Sequence, residues 1–170
     1  AASDVYKRQV RDCIVGKDTT INASQVNEST IGSHTTVGPF TYVRPNCCIG
    51  DHCRVGDFVE VKNSVIGDGT KISHLTYVGD SDVGQRVNFG CGTVTTNYDG
   101  HKKHRCTIGD DVFLGCNTNL IAPVTVADRA YTAAGSTVTD DVPEGALAIA
   151  RQRQTNIRGW ADRLRKTWKK

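Results

Sequence analysis

The sequence predicts an all-β fold, a parallel β-helix built from six-residue units, with one inserted loop and an irregular or helical C-terminal tail. Three observations predict it. Aliphatic residues recur every six positions, a small or β-branched residue follows four positions after each of them, and glycine often comes directly after the aliphatic residue. Such repeats are typical of parallel β-helices. Known proteins with this pattern wind left-handed, so we expect a left-handed β-helix, an exception to the usual right-handed crossover.

The repeat occupies two blocks of the chain. Its aliphatic positions are Val37, Val43, Ile49, Val55 and Val61 in the first block, and Ile108, Leu114, Leu120, Val126 and Val138 in the second. Each unit is predicted to form a short strand and a turn, and three units close one triangular coil. The aliphatic side chain points inward and the small residue fills the corner. Glycine is expected to supply turn geometry that a Cβ disfavours, and roughly seven coils fit the repeat region.

The chain divides into three segments within one predicted domain. Residues 1–9 fit no repeat and are interpreted as a linker or as residues added for expression. Residues 10–142 form the predicted solenoid, interrupted by a loop at residues 96–107. Residues 143–170 form a C-terminal tail that is expected to cap the open end of the solenoid. Part of this tail has apolar residues at helical spacing: Ile157, Trp160, Leu164 and Trp168.

Composition narrows the function classes. The formal net charge is +3, which requires no nucleic-acid partner and is compatible with small anionic ligands. The absence of a long apolar run and of a signal peptide predicts a cytoplasmic protein with no membrane partner.

Seven cysteines, an odd number, indicate free thiols rather than a disulfide framework. Four of them take small inward positions, namely Cys13, Cys47, Cys53 and Cys106, whereas Cys91 and Cys116 take outward turn positions.

Candidate functional residues are the polar side chains at outward positions. A prism of this kind has no cleft of its own, so a site needs the inserted loop, a partner subunit, or both. Arg44 and Lys62 each occupy a turn position that glycine holds in other units, and His74 and Tyr77 lie within one strand and turn. The full set is Arg44, Lys62, His74, Tyr77, Asn88, Asn97, Tyr98 and Lys103.

Seven segments of the chain carry a more specific resemblance. In order they read VGPFTYVRP, GDFVEVKNS, ISHLTYVGD, VNFGCGTVTTNYDG, IGDDVFLG, LIAPVTV and ALAIAR. Over residues 15–153 the chain resembles the acetyltransferase half of the bacterial bifunctional N-acetylglucosamine-1-phosphate uridyltransferases/glucosamine-1-phosphate N-acetyltransferases. The uridyltransferase half, with its glycine-rich nucleotide loop, is not in this sequence. We therefore expect no uridyl transfer from this chain alone, and a missing N-terminal domain is one expected partner.

The resemblance implies a homotrimer that transfers acetyl from acetyl-CoA, the co-substrate, to glucosamine 1-phosphate, without a metal. The product, N-acetylglucosamine 1-phosphate, leads toward UDP-N-acetylglucosamine and cell-wall precursors. By the resemblance, His74 is the general base. The same resemblance assigns the sugar phosphate to Arg44, Lys62, Tyr77 and Lys103, and a contact with the sugar to Asn88. It assigns the acetyl-CoA site to Cys91, Asn97, Tyr98, Cys116, Ala134 and Arg151.

The residue types suit this chemistry independently. An imidazole with an ordinary pKa of about 6.5 can take a proton from an amine near neutral pH. Arginine and lysine meet a phosphate through charge-assisted hydrogen bonds. The sequence departs from the family at two positions, because the family usually has Ala where Cys91 stands and Ser where Cys116 stands. The weaker hydrogen-bonding group of Cys116 would lie near the thioester.

Three other interpretations stay open. The first is another hexapeptide acyltransferase that acts on a sugar nucleotide. The second is a γ-type carbonic anhydrase, whose zinc needs three histidines, although here His34, His52 and His74 fall on different coils. The third is a non-catalytic solenoid scaffold, which explains the repeats but not the loop or the polar set. Turnover of acetyl-CoA separates the scaffold from the acyltransferases.

Overall fold

The computed structural model describes residues 9–168, which form a parallel β-solenoid of about eight turns with one short helix near the C-terminus. In chain order the elements are β1 (Gln9–Arg11), β2 (Ile14–Val15), β3 (Thr20–Ile21), β4 (Gln25–Asn27), β5 (Thr30–Ile31), β6 (Thr36–Val37), β7 (Tyr42–Val43), β8 (Cys48–Ile49), β9 (Arg54–Lys62), β10 (Val65–Ile66), β11 (Lys71–Gly79), β12 (Ser81–Val83), β13 (Asn88–Phe89), β14 (Val94–Thr96), β15 (Cys106–Ile108), β16 (Phe113–Leu114), β17 (Asn119–Ile121), β18 (Val124–Val126), β19 (Tyr131–Thr132), β20 (Thr137–Val138), β21 (Leu147–Ala148) and α1 (Trp160–Thr167).

The strands stack in register on three faces, and every pair of named strands is parallel. The first face runs β1, β4, β7, β9, β11, β14, β17 and β20. The second face runs β2, β5, β8, β10, β12, β15 and β18. The third face runs β3, β6, β9, β11, β13, β16, β19 and β21. Strands β9 and β11 belong to two faces because each continues around a corner without a break.

The interior is a column of the predicted aliphatic residues. Val43, Val55 and Val61 have no exposed surface, and Leu114 and Leu120 are equally enclosed. Fully burying an aliphatic side chain of this size contributes roughly 1.5–3 kcal/mol. The small inward positions are also buried, among them Thr41, Cys47, Cys53 and Cys106. The prediction of a parallel β-helix wound from six-residue units is therefore confirmed.

Most glycines of the repeat have a different physical role from the expected one, whereas Gly38, with φ of 101°, does take left-handed turn geometry. A Cβ built on Gly67 would lie 2.5 Å from the backbone of Gly84, and one on Gly115 would lie 2.5 Å from the amide nitrogen of Ala134. Neither glycine has a positive φ. The left-handed backbone at the turns is instead adopted by residues such as Asn46, with φ of 65°. Glycine is needed here because the next coil packs directly against the backbone.

Both ends of the solenoid extend slightly past the predicted repeat region. Of the predicted linker residues 1–9, only Gln9 lies among the described residues, and it opens β1. At the other end, β21 pairs with β19, so parallel pairing continues beyond Val142. The helix predicted around Trp160 and Leu164 is present as α1, but none of its residues is buried. Within one chain the tail helix therefore does not cover the end of the solenoid.

Among the described residues no helix has the length and apolar character that a membrane span requires, and α1 has only eight residues.

Candidate active site

The break in the repeat is a β-hairpin inserted into the sixth coil. From Tyr77 to its partner Val94 the chain travels 17 residues, whereas from Val94 to its partner Asn119 it travels 25. The additional residues fold back on themselves, because Tyr98 pairs antiparallel with Lys103. The expected inserted loop is thus confirmed and is an ordered hairpin.

Asp99 closes the tip of this hairpin. Its Oδ1 accepts hydrogen bonds from the backbone N–H groups of His101 and Lys102, each at 2.7 Å, and its Oδ2 lies 2.7 Å from Nε2 of His104. The N–H of Lys102, the imidazole of His104 and the N–H of His101 together hold the pKa of Asp99 well below its ordinary value. The carboxylate therefore stays charged at physiological pH and fixes the turn that presents the neighbouring lysines.

Arg105 anchors the base of the hairpin to the preceding coils. Its guanidinium binds Asp82 through two hydrogen bonds, at 2.9 Å and 2.5 Å, and donates a third to the carbonyl oxygen of Asn63 at 3.1 Å. This two-point contact raises the pKa of Arg105 and lowers that of Asp82. Planar arginine–carboxylate pairs fix orientation as well as distance. The hairpin is therefore held in one position relative to the fourth and fifth coils.

A buried carboxylate lies beneath the hairpin. Asp80 is 4% exposed and accepts hydrogen bonds from Nζ of Lys62 at 3.3 Å, from Nδ2 of Asn63 at 2.5 Å, and from Nδ2 of Asn97. Burial alone would raise the pKa of Asp80, but the hydrogen bonds from Asn63, Asn97 and Lys62 outweigh it and hold the pKa below its ordinary value. Asp80 thus positions both the ammonium group of Lys62 and the side chain of Asn97, the first residue of the hairpin.

Three cations meet above this carboxylate: Arg44, Lys62 and Lys103. Arg44 donates to Oε1 of Glu60 at 2.9 Å, and this contact raises the pKa of the guanidinium. The Lys103 amine lies beside that of Lys62, and the ammonium group of Lys62 lowers the pKa of Lys103. Like charges crowded in this way favour an anion that neutralises them. We call Arg44, Lys62 and Lys103 the cationic corner.

Tyr77 lies beside the cationic corner on the first face. Its hydroxyl group is 3.4 Å from Nδ2 of Asn97. The ring lies so close to Gly79 that a Cβ there would overlap it. A glycine two residues after the tyrosine is therefore required for this position of the ring. The structure brings together Arg44, Lys62, Tyr77 and Lys103, the four residues predicted to hold the sugar phosphate.

His74 lies at the other edge of the first face, at the corner where β11 turns. Its side chain is exposed, and its carbonyl oxygen accepts a hydrogen bond from Oγ1 of Thr76 at 2.7 Å. It pairs in register with Asp57 of the coil before. Strand residues advance about 3.3 Å each, so His74 lies roughly 16 Å along the chain from Gly79 and the cationic corner.

The predicted acetyl-CoA residues continue from His74 along the same corner. Backbone hydrogen bonds join Gly92 to Leu75 at 3.0 Å, Asn117 to Cys91 at 2.8 Å, and Gly135 to Cys116 at 2.8 Å. Each of these bonds links the same turn in successive coils, so the residues of this turn stand one above another. We call this set the turn column: His74, Cys91, Cys116 and Ala134.

Arg151 stands beyond the end of the turn column. The Cδ atom of its side chain is 3.7 Å from the position of a Cβ on Gly135. Successive rungs are about 4.8 Å apart, so four rungs separate His74 from Arg151 by about 19 Å. The four residues of the turn column and Arg151 are all exposed, so an elongated ligand could lie along them.

Three of the predicted site residues belong to neither the cationic corner nor the turn column. Asn88 lies on the third face, where it pairs with Lys71 and Phe113, and so it is not part of the cationic corner. Asn97 is buried against Asp80 rather than placed on the turn column. Tyr98 is exposed in the hairpin, with its hydroxyl group donating to the carbonyl oxygen of Gly100 at 2.8 Å.

Sequence reasoning missed Glu60, Asp80 and Arg105, which position the cations and the hairpin. One signal could have found Asp80. The coils advance by 16 to 18 residues outside the insertion, and Arg44, Lys62 and Asp80 follow one another at intervals of 18. Among the described residues, no group of three or more His, Cys, Asp or Glu side chains is arranged to hold a metal ion.

Comparison with known proteins supports the repeat and the resemblance. A family model described as bacterial transferase hexapeptide (six repeats) matches residues 28–63 and 105–140. The chain is similar to this model in both of its repeat blocks. It is 59% identical over 149 residues to the bifunctional protein GlmU of Clostridium perfringens, across 88% of this chain and 33% of that protein. It is 62% identical over 158 residues to that of Oceanobacillus iheyensis, across 93% of this chain and 35% of that protein.

The chain spans about a third of the length of these curated relatives. Among solved structures it is similar to the UDP-N-acetylglucosamine acyltransferase from Campylobacter jejuni, with a TM-score of 0.59 and 17% identity over 96% of this chain and 82% of that one. A perosamine N-acetyltransferase from Caulobacter crescentus, solved with CoA and GDP-perosamine, matches 72% of this chain and 53% of that one, with a TM-score of 0.50 and 23% identity. These two similarities show the shared fold.

Proposed function

We propose that this chain is a glucosamine-1-phosphate N-acetyltransferase that uses acetyl-CoA and acts in the cytoplasm. The observation that carries the proposal is the cationic corner at one edge of the first face, with His74 at the other edge. The identity of 59% to 62% with two bifunctional GlmU proteins supports it. A scaffold would need neither the ordered hairpin nor the buried Asp80 that fixes Lys62.

The cationic corner selects a phosphorylated sugar. A phosphate monoester carries nearly two negative charges, and Arg44, Lys62 and Lys103 offer three positive ones. Binding the phosphate would relieve the repulsion between Lys62 and Lys103, which already lowers the pKa of Lys103. Tyr77 lies on the face between the phosphate end and His74, where the ring of the sugar would rest. Each charge-assisted hydrogen bond contributes roughly 1.5–3 kcal/mol.

The transfer needs one general base. The sugar amine attacks the carbonyl carbon of the thioester once it has lost a proton, and the imidazole of His74 takes that proton. The carbon–sulfur bond then breaks, and coenzyme A leaves as a thiolate that recovers a proton. In the turn Gly90–Thr93 the N–H groups of Gly90, Gly92 and Thr93 already donate to backbone carbonyl oxygens, which leaves the N–H of Cys91 as the candidate for stabilising the oxyanion. The steps require neither a covalent enzyme intermediate nor a metal ion.

Acetyl-CoA is proposed to lie along the turn column, with the thioester near His74 and the phosphorylated end near Arg151. The column is exposed over its full length and ends at a basic segment, which suits an elongated ligand with phosphates at one end. Cys116 lies two rungs from His74.

We further propose that the active unit is a homotrimer. In one chain the cationic corner and His74 lie at opposite edges of a flat face, and Asn88 lies on another face. A neighbouring copy would enclose the first face and bring in side chains from its own third face. Light scattering at micromolar concentration should give three times the mass of one chain, and a monomer would count against the enclosed site.

One assay tests the activity. The chain is incubated with acetyl-CoA and, in parallel, with glucosamine 1-phosphate, glucosamine and a UDP-linked amino sugar, and the acetylated product is measured by mass spectrometry. Direct product detection is needed because the exposed thiols Cys48, Cys91 and Cys116 would disturb a thiol-release assay. We expect acetylation of glucosamine 1-phosphate above all others. Preference for the UDP-linked sugar would assign the chain to the sugar-nucleotide acyltransferases, and no turnover would favour the scaffold.

A further inference from the structure

Two of the seven thiols differ from the rest because they are neighbours on the turn column. Strands β13 and β16 pair Phe89 with Leu114, so two residues further on Cys91 stands opposite Cys116. The amide of Asn117 confirms this register through its 2.8 Å hydrogen bond to the carbonyl oxygen of Cys91. Both cysteines are exposed and free. Their Cα atoms are one rung apart, about 4.8 Å, within the range of about 4.4–6.8 Å that disulfides span.

Side chains at equivalent turn positions do meet in this molecule. The imidazoles of His34 and His52, on successive coils, stack with centroids 4.9 Å apart. The rings of Phe40 and Phe58 occupy the position next to the turn column and stack at 5.6 Å. These rings lie one position further along their turns than Cys91 and Cys116 do, and residues that stand one above another there project the same way. The thiols of Cys91 and Cys116, which are also paired in register, are expected to share one side of the turn likewise.

The other five cysteines lack this combination. Burial raises the pKa of Cys47 and Cys53, and it raises the pKa of Cys106 to about 11, which makes these three thiols poor nucleophiles. Cys13 is partly buried and donates a hydrogen bond to the carbonyl oxygen of Val26 at 3.3 Å. Cys48 is exposed, but its partners on the adjacent rungs are Thr30 and Val65.

We propose that Cys91 and Cys116 form a dithiol site that small-molecule disulfides oxidise to an intrachain disulfide. One thiolate attacks a sulfur of the small disulfide, forms a mixed disulfide and releases one small thiol. The second thiolate attacks the protein sulfur of that mixed disulfide and releases the second small thiol. The protein loses two protons and two electrons, which the two released thiols carry.

The site would make the reaction sensitive to redox conditions, and this part rests on the proposed function. Cys91 is one rung and Cys116 two rungs from His74, where the thioester of acetyl-CoA is proposed to lie. A disulfide would fix both side chains across that path. It would also replace two thiols that can donate hydrogen bonds by a group that cannot. We expect the oxidised chain to bind acetyl-CoA less well and glucosamine 1-phosphate unchanged.

The test uses the full chain and oxidised glutathione under native conditions, with remaining thiols blocked by an alkylating agent before digestion and mass spectrometry. We expect a peptide pair linked through Cys91 and Cys116, restored to free thiols by dithiothreitol. Cys91→Ala and Cys116→Ser should each abolish the link and leave one glutathione adduct on the remaining cysteine. Cys48→Ser is the matched control, because it removes an exposed thiol and should leave the link intact.

Stable glutathione adducts on both Cys91 and Cys116, or links between chains, would overturn the proposal. A second readout follows acetylated product before and after oxidation. We expect KM for acetyl-CoA to rise at least severalfold, KM for the sugar to stay constant, and Cys91→Ala to resist the change. If the reduced chain has no acetyltransferase activity, the proposed function fails while the mapped disulfide still stands. If the disulfide forms and KM for acetyl-CoA stays constant, only the proposed effect of oxidation on activity is wrong.

Discussion

The two edges of the first face are built in different ways. The cationic corner rests on side chains: Asp80 fixes Lys62 and Asn97, Glu60 holds Arg44, and Arg105 ties the hairpin to Asp82. The turn column rests on backbone register alone, and its side chains are exposed. The side chains of the first edge are held in place by other side chains of the chain, whereas those of the second edge are exposed, and the proposed ligand or a neighbouring subunit would complete that edge. Substitutions at the first edge should therefore affect stability as well as binding, and those at the second should affect function alone.

His74→Ala tests the turn column with the largest expected effect. Loss of a general base lowers kcat by roughly 10² to 10⁴, and the exposed position of the side chain predicts an unchanged melting temperature. Product formation measured under saturating substrates checks the first part and calorimetry the second. The control is His34→Ala, an exposed histidine at a different corner, which should keep kcat. Activity of the His74 variant within a few-fold of wild type would remove its role as base.

Asp80→Asn should give the largest loss of stability. Removing one partner of a buried ion pair costs about 3–5 kcal/mol, and the partial exposure of Lys62 places the expected loss near the lower end of that range. The pKa of Asp80 is lowered in the folded state. Its contribution is therefore complete above the ordinary pKa of about 3.8–3.9 and is lost as the pH falls below it.

Urea unfolding of the wild type and the Asp80→Asn variant at pH 7 and at pH 3 checks this sign. The difference between the two proteins should be large at pH 7 and smaller at pH 3. Asp57→Asn is the control, because Asp57 lies on the turn column side, next to His74 in register, and should change stability little. An equal difference at both pH values would mean that the charge of Asp80 is not the stabilising feature.

Arg44→Ala tests the phosphate role of the cationic corner. Loss of one charge-assisted hydrogen bond of about 1.5–3 kcal/mol should raise KM for glucosamine 1-phosphate roughly tenfold to a hundredfold. KM for acetyl-CoA should barely change. Glucosamine lacks the phosphate and should already be a poor substrate of the wild type, so the substitution should raise its KM little further. Arg86→Ala is matched to it, because Arg86 forms an exposed ion pair with Asp111 at another corner. If the substitution raises KM for glucosamine as much as KM for glucosamine 1-phosphate, Arg44 does not bind the phosphate.

Truncation after Ala150 should have the smallest effect, and it sharpens the assignment of the far end of the turn column. An exposed charge contact is worth about 1 kcal/mol, so KM for acetyl-CoA should rise about fivefold while KM for the sugar stays constant. The solenoid should stay folded, because no residue of α1 is buried. Arg151→Ala should reproduce most of the effect and Arg153→Ala little of it. Equal changes in both KM values would point to damaged folding or assembly.

The sequence predicted the coil well because its repeat has a direct physical cause. An aliphatic residue at every sixth position can only be buried in a prism, so the periodicity by itself places Ile49, Val61 and Leu114 inside, where they are found. It also indicated Arg44 and Lys62 as candidate site residues, because each is a charged residue at a turn position where glycine recurs, and the structure places the two in one cluster. The contacts of Asp80 were not predictable from that pattern. They depend on the number of residues in each coil, which varies, and on how the hairpin folds back.

Distances along the turn column can change only by multiples of the spacing between successive coils. Each residue of the column belongs to a separate coil, and the rungs are held about 4.8 Å apart by backbone hydrogen bonds that any sequence can form. Adding or deleting a complete coil between His74 and Arg151 would move these residues apart or together by one rung, while every aliphatic residue kept its inward position. An insertion shorter than a complete coil would instead protrude from the stack as a loop, as the hairpin does. If acetyl-CoA lies along the column as proposed, the number of coils between His74 and Arg151 sets the length of the ligand that fits there.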